Sequence, residues 1–390
     1  MAAPALELAD IFRQHGPAYR QAHDLPFHQL RLMQAIEQCR TPALGGVVDW
    51  CDRCQYKHIQ FRSCRNRHCP KCQGLARARW LRQRQAELLP VEYFHVVFTL
   101  PEPIAAIAFH NKTIVFDLLF HTTARTLLEI AADPKRLGVE IGFFAVLHSW
   151  GQNLHFHPHL HCVVPGGGLS AQADQWRHAR RRFLLPVKVL SARFRTLFLQ
   201  ALERAHAAGK LRFFGELAGL SDRARFAAYL APLRQTKWVV YAKAPLGGPQ
   251  QILEYLGRYT HRVAISNSRL RTLEDGRVTF DWKDYRDGQA KQMTLSAEEF
   301  IRRFLSHSLP ASFQRIRYYG LFANCHRARR LELCRRLLHG PCHDLLPRAA
   351  DYRDFFLTLT GINLRLCPRC GTPLIRLLWQ APPPPICDTS

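Results

Sequence analysis

His155-Phe-His-Pro-His-Leu-His161, continued by Cys162-Val-Val-Pro-Gly-Gly-Gly168, is the stretch from which the rest of the chain is read. In an extended strand, residues i and i+2 point to the same face. His159 and His161 then stand side by side, close enough to share one metal ion, and Leu160 points into a core. Neutral imidazole is the commonest metal-donating side chain. Cys162, Val163 and Val164 prolong the strand, and Pro165 with three glycines is expected to end it.

The composition fits a metal site that works on a polyanion. Among 390 residues, 55 Lys and Arg stand against 30 Asp and Glu, a net charge of +25. Such an excess makes a polyanion the default partner. The start of the chain, Met1 to Asp10, lacks the basic segment and apolar run of a signal peptide. No run of apolar residues is long enough for a membrane span. Thirteen cysteines, several in Cys-x-x-Cys pairs, indicate metal binding in a reducing compartment. The expected location is the cytoplasm, with association to the nucleoid when DNA is bound.

Residues 5–38 read as two short helices interrupted at Gly16-Pro17 and Leu25-Pro26. Cys51-x-x-Cys54 and Cys69-x-x-Cys72 follow, and their spacing reads as one structural zinc site. Cys64 and His68, inside the interval, could replace a member of the second pair. Arg77, Arg79, Arg82 and Arg84 lie on the next helix, a possible DNA-facing surface. Residues 93–100, 143–150, 237–242, 277–283 and 291–295 read as strands. Helices are expected over 111–131, 190–208, 221–230 and, from the capping box Ser296-x-x-Glu299, to about His307. Tyr318 and Tyr319 sit among arginines, as in surfaces that stack bases. Cys367-x-x-Cys370 is half a zinc site, with Cys342, His343 and Cys387 as candidate partners.

A helix from Gln250 to about Ile265 sets Tyr255 and Tyr259 one turn apart, beside Arg258 and Arg262. Two phenols flanked by two guanidiniums suit a phosphodiester. Taken alone, the tyrosines are better explained as rings that pad a core.

Together, Asn153–His161 with Val163-Val-Pro-Gly-Gly-Gly168, Tyr255-Leu-Gly-Arg-Tyr259-Thr-His-Arg-Val-Ala-Ile-Ser266, and Ser63-Cys-Arg-Asn-Arg-His-Cys-Pro-Lys-Cys72 resemble the HUH endonuclease superfamily. More closely, the chain resembles the two-tyrosine transposases of rolling-circle insertion sequences, with their N-terminal zinc-binding domain. The resemblance spans about residues 10–370. It implies an α+β fold with a ferredoxin-like palm, an antiparallel sheet whose central strand bears the histidines. The implied domains are 1–90 (helical and zinc-binding), 91–310 (catalytic) and 311–390 (basic, with a Cys-x-x-Cys knuckle and a Pro-rich tail).

The activity implied is nicking and rejoining of single-stranded or hairpin DNA ends through a 5′-phosphotyrosine. Tyr255 and Tyr259 are the expected nucleophiles, and Arg258 and Arg262 hold the phosphate. A Mg2+ or Mn2+ ion is expected on His159, His161 and a third ligand. His157 is the expected third ligand, with His155 and His261 as alternatives. Rival functions are a His-x-His metal-dependent hydrolase and a non-enzymatic zinc-finger regulator.

Overall fold

The computed structural model describes residues 6–246, 257, 263–284, 287–340 and 351–379. Helices α1 (Leu8–Ala22) and α2 (Phe27–Glu37) lead into the hairpin β1 (Gly46–Trp50) and β2 (Lys57–Phe61), and then α3 (Gln73–Gln85). Next come β3 (Tyr93–Thr99), α4 (Glu102–His110), α5 (Lys112–Ala132), β4 (Gly142–Trp150) and β5 (Phe156–Pro165). A small hairpin, β6 (Gly167–Leu169) and β7 (Trp176–His178), precedes α6 (Val187–Ala207), α7 (Arg223–Gln235) and β8 (Val240–Leu246). The meander β9 (Leu270–Glu274), β10 (Arg277–Lys283) and β11 (Ala290–Ser296) runs into α8 (Ala297–Ser306). β12 (Ile316–Gly320), α9 (Arg327–Leu337), α10 (Tyr352–Thr360) and β13 (Ile375–Trp379) complete the described elements.

The fold is α+β, built on an antiparallel five-stranded sheet in the order β12-β4-β5-β3-β8. The histidine strand β5 is central, as expected. Strict alternation gives the sheet two different faces. Phe94, Val96 and Phe98 of β3, Ala145 and Leu147 of β4, and Leu160, Cys162 and Val164 of β5 point into the main core. There α4, α5, α6 and α7 cover them with side chains such as Phe116, Phe120, Phe194 and Phe198. The residues between them in sequence, Tyr93, His95, Phe144, Val146, His148, His159, His161 and Val163, belong to the opposite face. At the sheet edge, Gly320 lies opposite Gly142 with φ +57°, and a Cβ there would strike the Ile141 carbonyl. Only glycine fits that approach without strain.

A second core joins the N-terminal helices to α8 and the β9–β11 meander, with Phe12 edge-on to Phe304. It also explains why α1 runs on through Pro17, where a break was expected. An interior proline costs a helix about 3 kcal/mol. Burial of Leu8, Ile11, Phe12 and Tyr19, at about 1.5–3 kcal/mol for each large apolar side chain, outweighs it. Among the described residues, no helix is long and apolar enough to cross a membrane.

Candidate metal and DNA-cleavage site

The β4–β5 ladder builds the site. His148 pairs directly with His159, and Val146 with His161, so three imidazoles gather on one face. Their ligand atoms all lie within 4.8 Å of one another. His159 Nε2 and His161 Nε2 are 3.1 Å apart, and the rings of His148 and His161 stand edge to face at 4.5 Å. His148 is buried and stacks on Trp150.

In His159 and His161 the other ring nitrogen, Nδ1, has a partner. His159 Nδ1 lies 2.7 Å from the His157 carbonyl, which accepts its proton and makes Nε2 the unprotonated nitrogen, on the side of His161. His161 Nδ1 is 2.8 Å from Nε2 of His95, a buried residue of β3 whose ring lies nearly coplanar with it, at 11°. Burial, reinforced by Lys243 and His159, pushes the His95 imidazole down to about 3. A neutral His95 accepts through Nε2 from a His161 that offers its own Nε2 to a metal. Partners of this kind set the tautomer and orientation of metal-binding histidines. The residues present therefore suit a divalent ion.

His148, not His157, is the third imidazole of the group. The expected assignment followed β5 alone, where each two-residue step moves a side chain about 6.6 Å along the strand. The partner across the ladder is nearer, about 5 Å away. His157 is exposed at the strand's outer end, its ring 5.4 Å from that of His159, and His155 is exposed just before the strand. A lone histidine near the end of the apolar run Phe143–Trp150 was the sequence signal for His148.

Tyr255, Arg258, Tyr259, His261 and Arg262 lie outside the described residues. Gly257, between the two tyrosines in sequence, is described: it is helical and buried. A Cβ there would come within 2.9 Å of Arg77 Nε and Leu81 Cδ1 of α3. Leu81 packs with Tyr93, Phe144, Val146 and Val163 on the histidine face. Beside His157 a cleft of about 770 Å³ opens, with Gln152, Asn153, Lys237, Trp282 and Lys283 on its walls.

The cysteines are sorted differently from the expectation that Cys51, Cys54, Cys69 and Cys72 share one ion. Cys39, Cys64, Cys69 and Cys72 form one group, with Cys72 Sγ 3.4 Å from Cys39 and 3.5 Å from Cys64. Cys51 and Cys54 belong to another, with Cys367 and Cys370. The hairpin is the cause. Five-residue strands carry its tip, which holds Cys51 and Cys54, about 17 Å from its open end. Cys39 and Cys64 flank that open end. His68 lies outside both groups: it is buried, and its Nε2 accepts from the Leu309 amide at 3.4 Å.

Much of the arginine surface is also committed. Arg84 donates to the Tyr318 hydroxyl and pairs with Glu87, while Arg79 and Arg82 lie over the Phe355 ring. Tyr319 stacks on Phe143. Tyr318 and Tyr319 thus help pack the sheet edge.

Two family profiles match the chain, one described as "Putative transposase" over residues 142–330 and one as "Transposase zinc-binding domain" over residues 11–100. A curated relative from Sinorhizobium fredii, named "Putative transposase y4qJ", is 58% identical over 376 residues, 95% of this chain and 94% of that one. The chain belongs to this transposase family. The transposase is also 29% identical over 296 residues to the "Transposase for insertion sequence element IS801" of Pseudomonas savastanoi pv. phaseolicola. That match covers 73% of the transposase and 68% of its relative. Among solved structures, "Conjugative Relaxase TrwC in complex with mutant OriT Dna" aligns with 62% of the transposase and 72% of that chain. Its identity of 14% and TM-score of 0.25 are too low to carry weight. The zinc-binding profile encloses the whole first cysteine group, and four thiolates suit a structural zinc ion.

Proposed function

We propose that this transposase nicks and rejoins single-stranded DNA at the ends of its insertion sequence through a 5′-phosphotyrosine intermediate. The observation that carries the reading is the convergence of His148, His159 and His161 on a sheet face that is also packed by Leu81 of α3, the residue a Cβ on helical Gly257 would meet; the sequence neighbours of Gly257 include Tyr255 and Tyr259. In this reading His148, His159 and His161 hold a divalent ion, manganese or magnesium, with imidazole favouring manganese. When bound, the ion polarises the scissile phosphate and offsets its developing negative charge.

The phenol of Tyr255 or Tyr259 gives up its proton and attacks phosphorus. The bond from phosphorus to the 3′-oxygen breaks, and that oxygen takes a proton as it leaves. The new ester keeps the energy of the old one, so the reverse attack reseals the strand without ATP. A second phenol one helical turn away captures a second strand. Arg258 and Arg262 orient the phosphate, and an unpaired strand is needed for a scissile linkage to reach a helix-borne hydroxyl. The cleft walled by Asn153, Lys237 and Trp282 accommodates a nucleotide next to that linkage. The place of action is the cytoplasm, on the element's own DNA. Two features weigh against the rivals. The three-histidine group has no carboxylate member among the described residues, as a hydrolase base would require, and a regulator gives the histidines no task.

The test is incubation with labelled single-stranded oligonucleotides from the element's ends in Mn2+, followed by a denaturing gel. Wild type is expected to give a DNA-linked protein band. The band should persist with a single Tyr255→Phe or Tyr259→Phe substitution if either phenol can start, and vanish with both. A band undiminished in the double variant, or none with wild type, overturns the proposal.

A further inference from the structure

At the far end of the zinc hairpin, Cys51 Sγ lies 3.4 Å from Cys370 Sγ, a residue 319 positions later, and Cys54 Sγ lies 3.4 Å from Cys367 Sγ. We propose that these four thiols bind a second structural zinc ion, separate from the Cys39–Cys64–Cys69–Cys72 group, and that it clasps the C-terminal segment onto the N-terminal hairpin. The zinc-binding profile stops at residue 100 and contains only half of this site.

The two halves are built alike. In each Cys-x-x-Cys turn, the first cysteine's carbonyl accepts the backbone N–H four residues on, from Gln55 in one and Gly371 in the other, both at 2.9 Å. In each, the first cysteine's N–H donates to the carbonyl five residues on, at Tyr56 (2.9 Å) and Thr372 (2.8 Å). The residue after the second cysteine is left-handed in both, with φ +58° at Gln55 and +71° at Gly371. Two such knuckles facing each other place four sulfurs around one point. All four fall within 4.8 Å of one another. A tetrahedral zinc with Zn–S of about 2.3 Å asks for sulfurs about 3.8 Å apart. A disulfide asks for about 2.05 Å in pairs, whereas here the sulfurs form a cluster of four and all are free thiols. The Thr372 hydroxyl, 3.1 Å from the sulfurs of both Cys51 and Cys370, is placed to donate to thiolate.

The surrounding structure agrees with a clasp. β13 pairs with β1 over five consecutive residues, making β1 the centre of a three-stranded sheet. Arg376 of β13 grips the buried Asp49 of β1 through Nε at 2.6 Å and Nη2 at 2.8 Å. A metal here supplies folding energy to a sheet assembled from opposite ends of the chain. Cys342, His343 and Cys387, the partners considered for Cys367 and Cys370, lie outside the described residues.

Metal analysis of the full-length protein, purified with a reductant, decides the matter. Two zinc ions per chain are expected, falling to one in Cys367→Ser/Cys370→Ser. A separate Cys64→Ser/Cys69→Ser variant should also hold one. Because either variant could misfold, the wild type is also titrated with a mercurial while released zinc is followed with a chromogenic chelator. Release of two zinc ions per chain supports the clasp. One zinc per chain in wild type, an unchanged count in Cys367→Ser/Cys370→Ser, or Cys51/Cys54 disulfide-linked to Cys367/Cys370 in the reduced preparation overturns it.

Discussion

His95 shows what a buried residue beside the imidazole group contributes. It contacts His161 through 2.8 Å between ring nitrogens, with the two ring planes within 11° of each other. Its task in the proposed site is to hold the ring of His161 with Nε2 turned toward the metal. Loss of such a partner typically costs 10- to 100-fold in metal affinity, on the order of what is expected here. His95→Ala should therefore weaken Mn2+ binding by about that factor, measured by calorimetry or by the spectrum of free Mn2+. Saturating Mn2+ should restore covalent adduct formation, and His95→Gln should recover part of the affinity. An unchanged Mn2+ affinity in His95→Ala would show that the paired rings serve packing alone. The sequence disclosed His159 and His161 because their pairing is a property of one strand. It hid His148 and His95 because cross-strand register depends on how strands align, which no local pattern states.

Elements were legible wherever their own residues decide them. The N-cap at Ser296 is one case: its side chain accepts the Glu299 amide at 3.2 Å, and α8 starts there. Pro17 is the opposite case, since tertiary burial kept a helix that local preference would have ended. The residue after α8 shows how one element is tied to the site. His307 is fully enclosed, its Nε2 3.1 Å from the Leu154 carbonyl and its Nδ1 3.4 Å from the Ser149 hydroxyl, next to His148 in sequence. Burial, the largest influence, drives its imidazole from 6.5 down to about 3, against the opposing pull of the Leu154 carbonyl. The sign follows from linkage. Below about pH 6.5 the unfolded chain takes up a proton that folded His307 refuses, so stability falls as pH drops from there toward 3. One proton corresponds to about 1.4 kcal/mol per pH unit. Urea denaturation of wild type between pH 6.5 and 4.5 should show this slope, and His307→Gln, which keeps a donor for Leu154, should lose about one proton's worth of it. An equal slope in both proteins would refute the assignment.

At the scale of the whole molecule, the chain closes on itself, and this was the least legible feature. β12 joins the edge of the central sheet and β13 the hairpin sheet, so segments from beyond residue 310 complete structures begun before residue 150. Cysteine spacing gave the right residue types and the wrong groups, because the hairpin separates neighbours in sequence and the fold unites its distant ends. Charge was legible in total but not in place. Of the 55 Lys and Arg, arginines such as Arg79, Arg82, Arg84, Arg317 and Arg376 are spent on aromatic rings and carboxylates within the protein. The remainder still leaves a strong field for a polyanion. If single-stranded DNA is held through its phosphates, each neutralised phosphate releases counterions and adds about −0.7 to the slope of log K against log salt. Contacts with five or more phosphates would give a slope steeper than about −3.5, and a fourfold rise in salt would cut affinity by roughly 100-fold or more. Fluorescence anisotropy with a labelled single strand between low and moderate salt measures this directly. A slope near zero would mean that the positive charge serves the fold, and the phosphate-based reading of the DNA interface would fall with it.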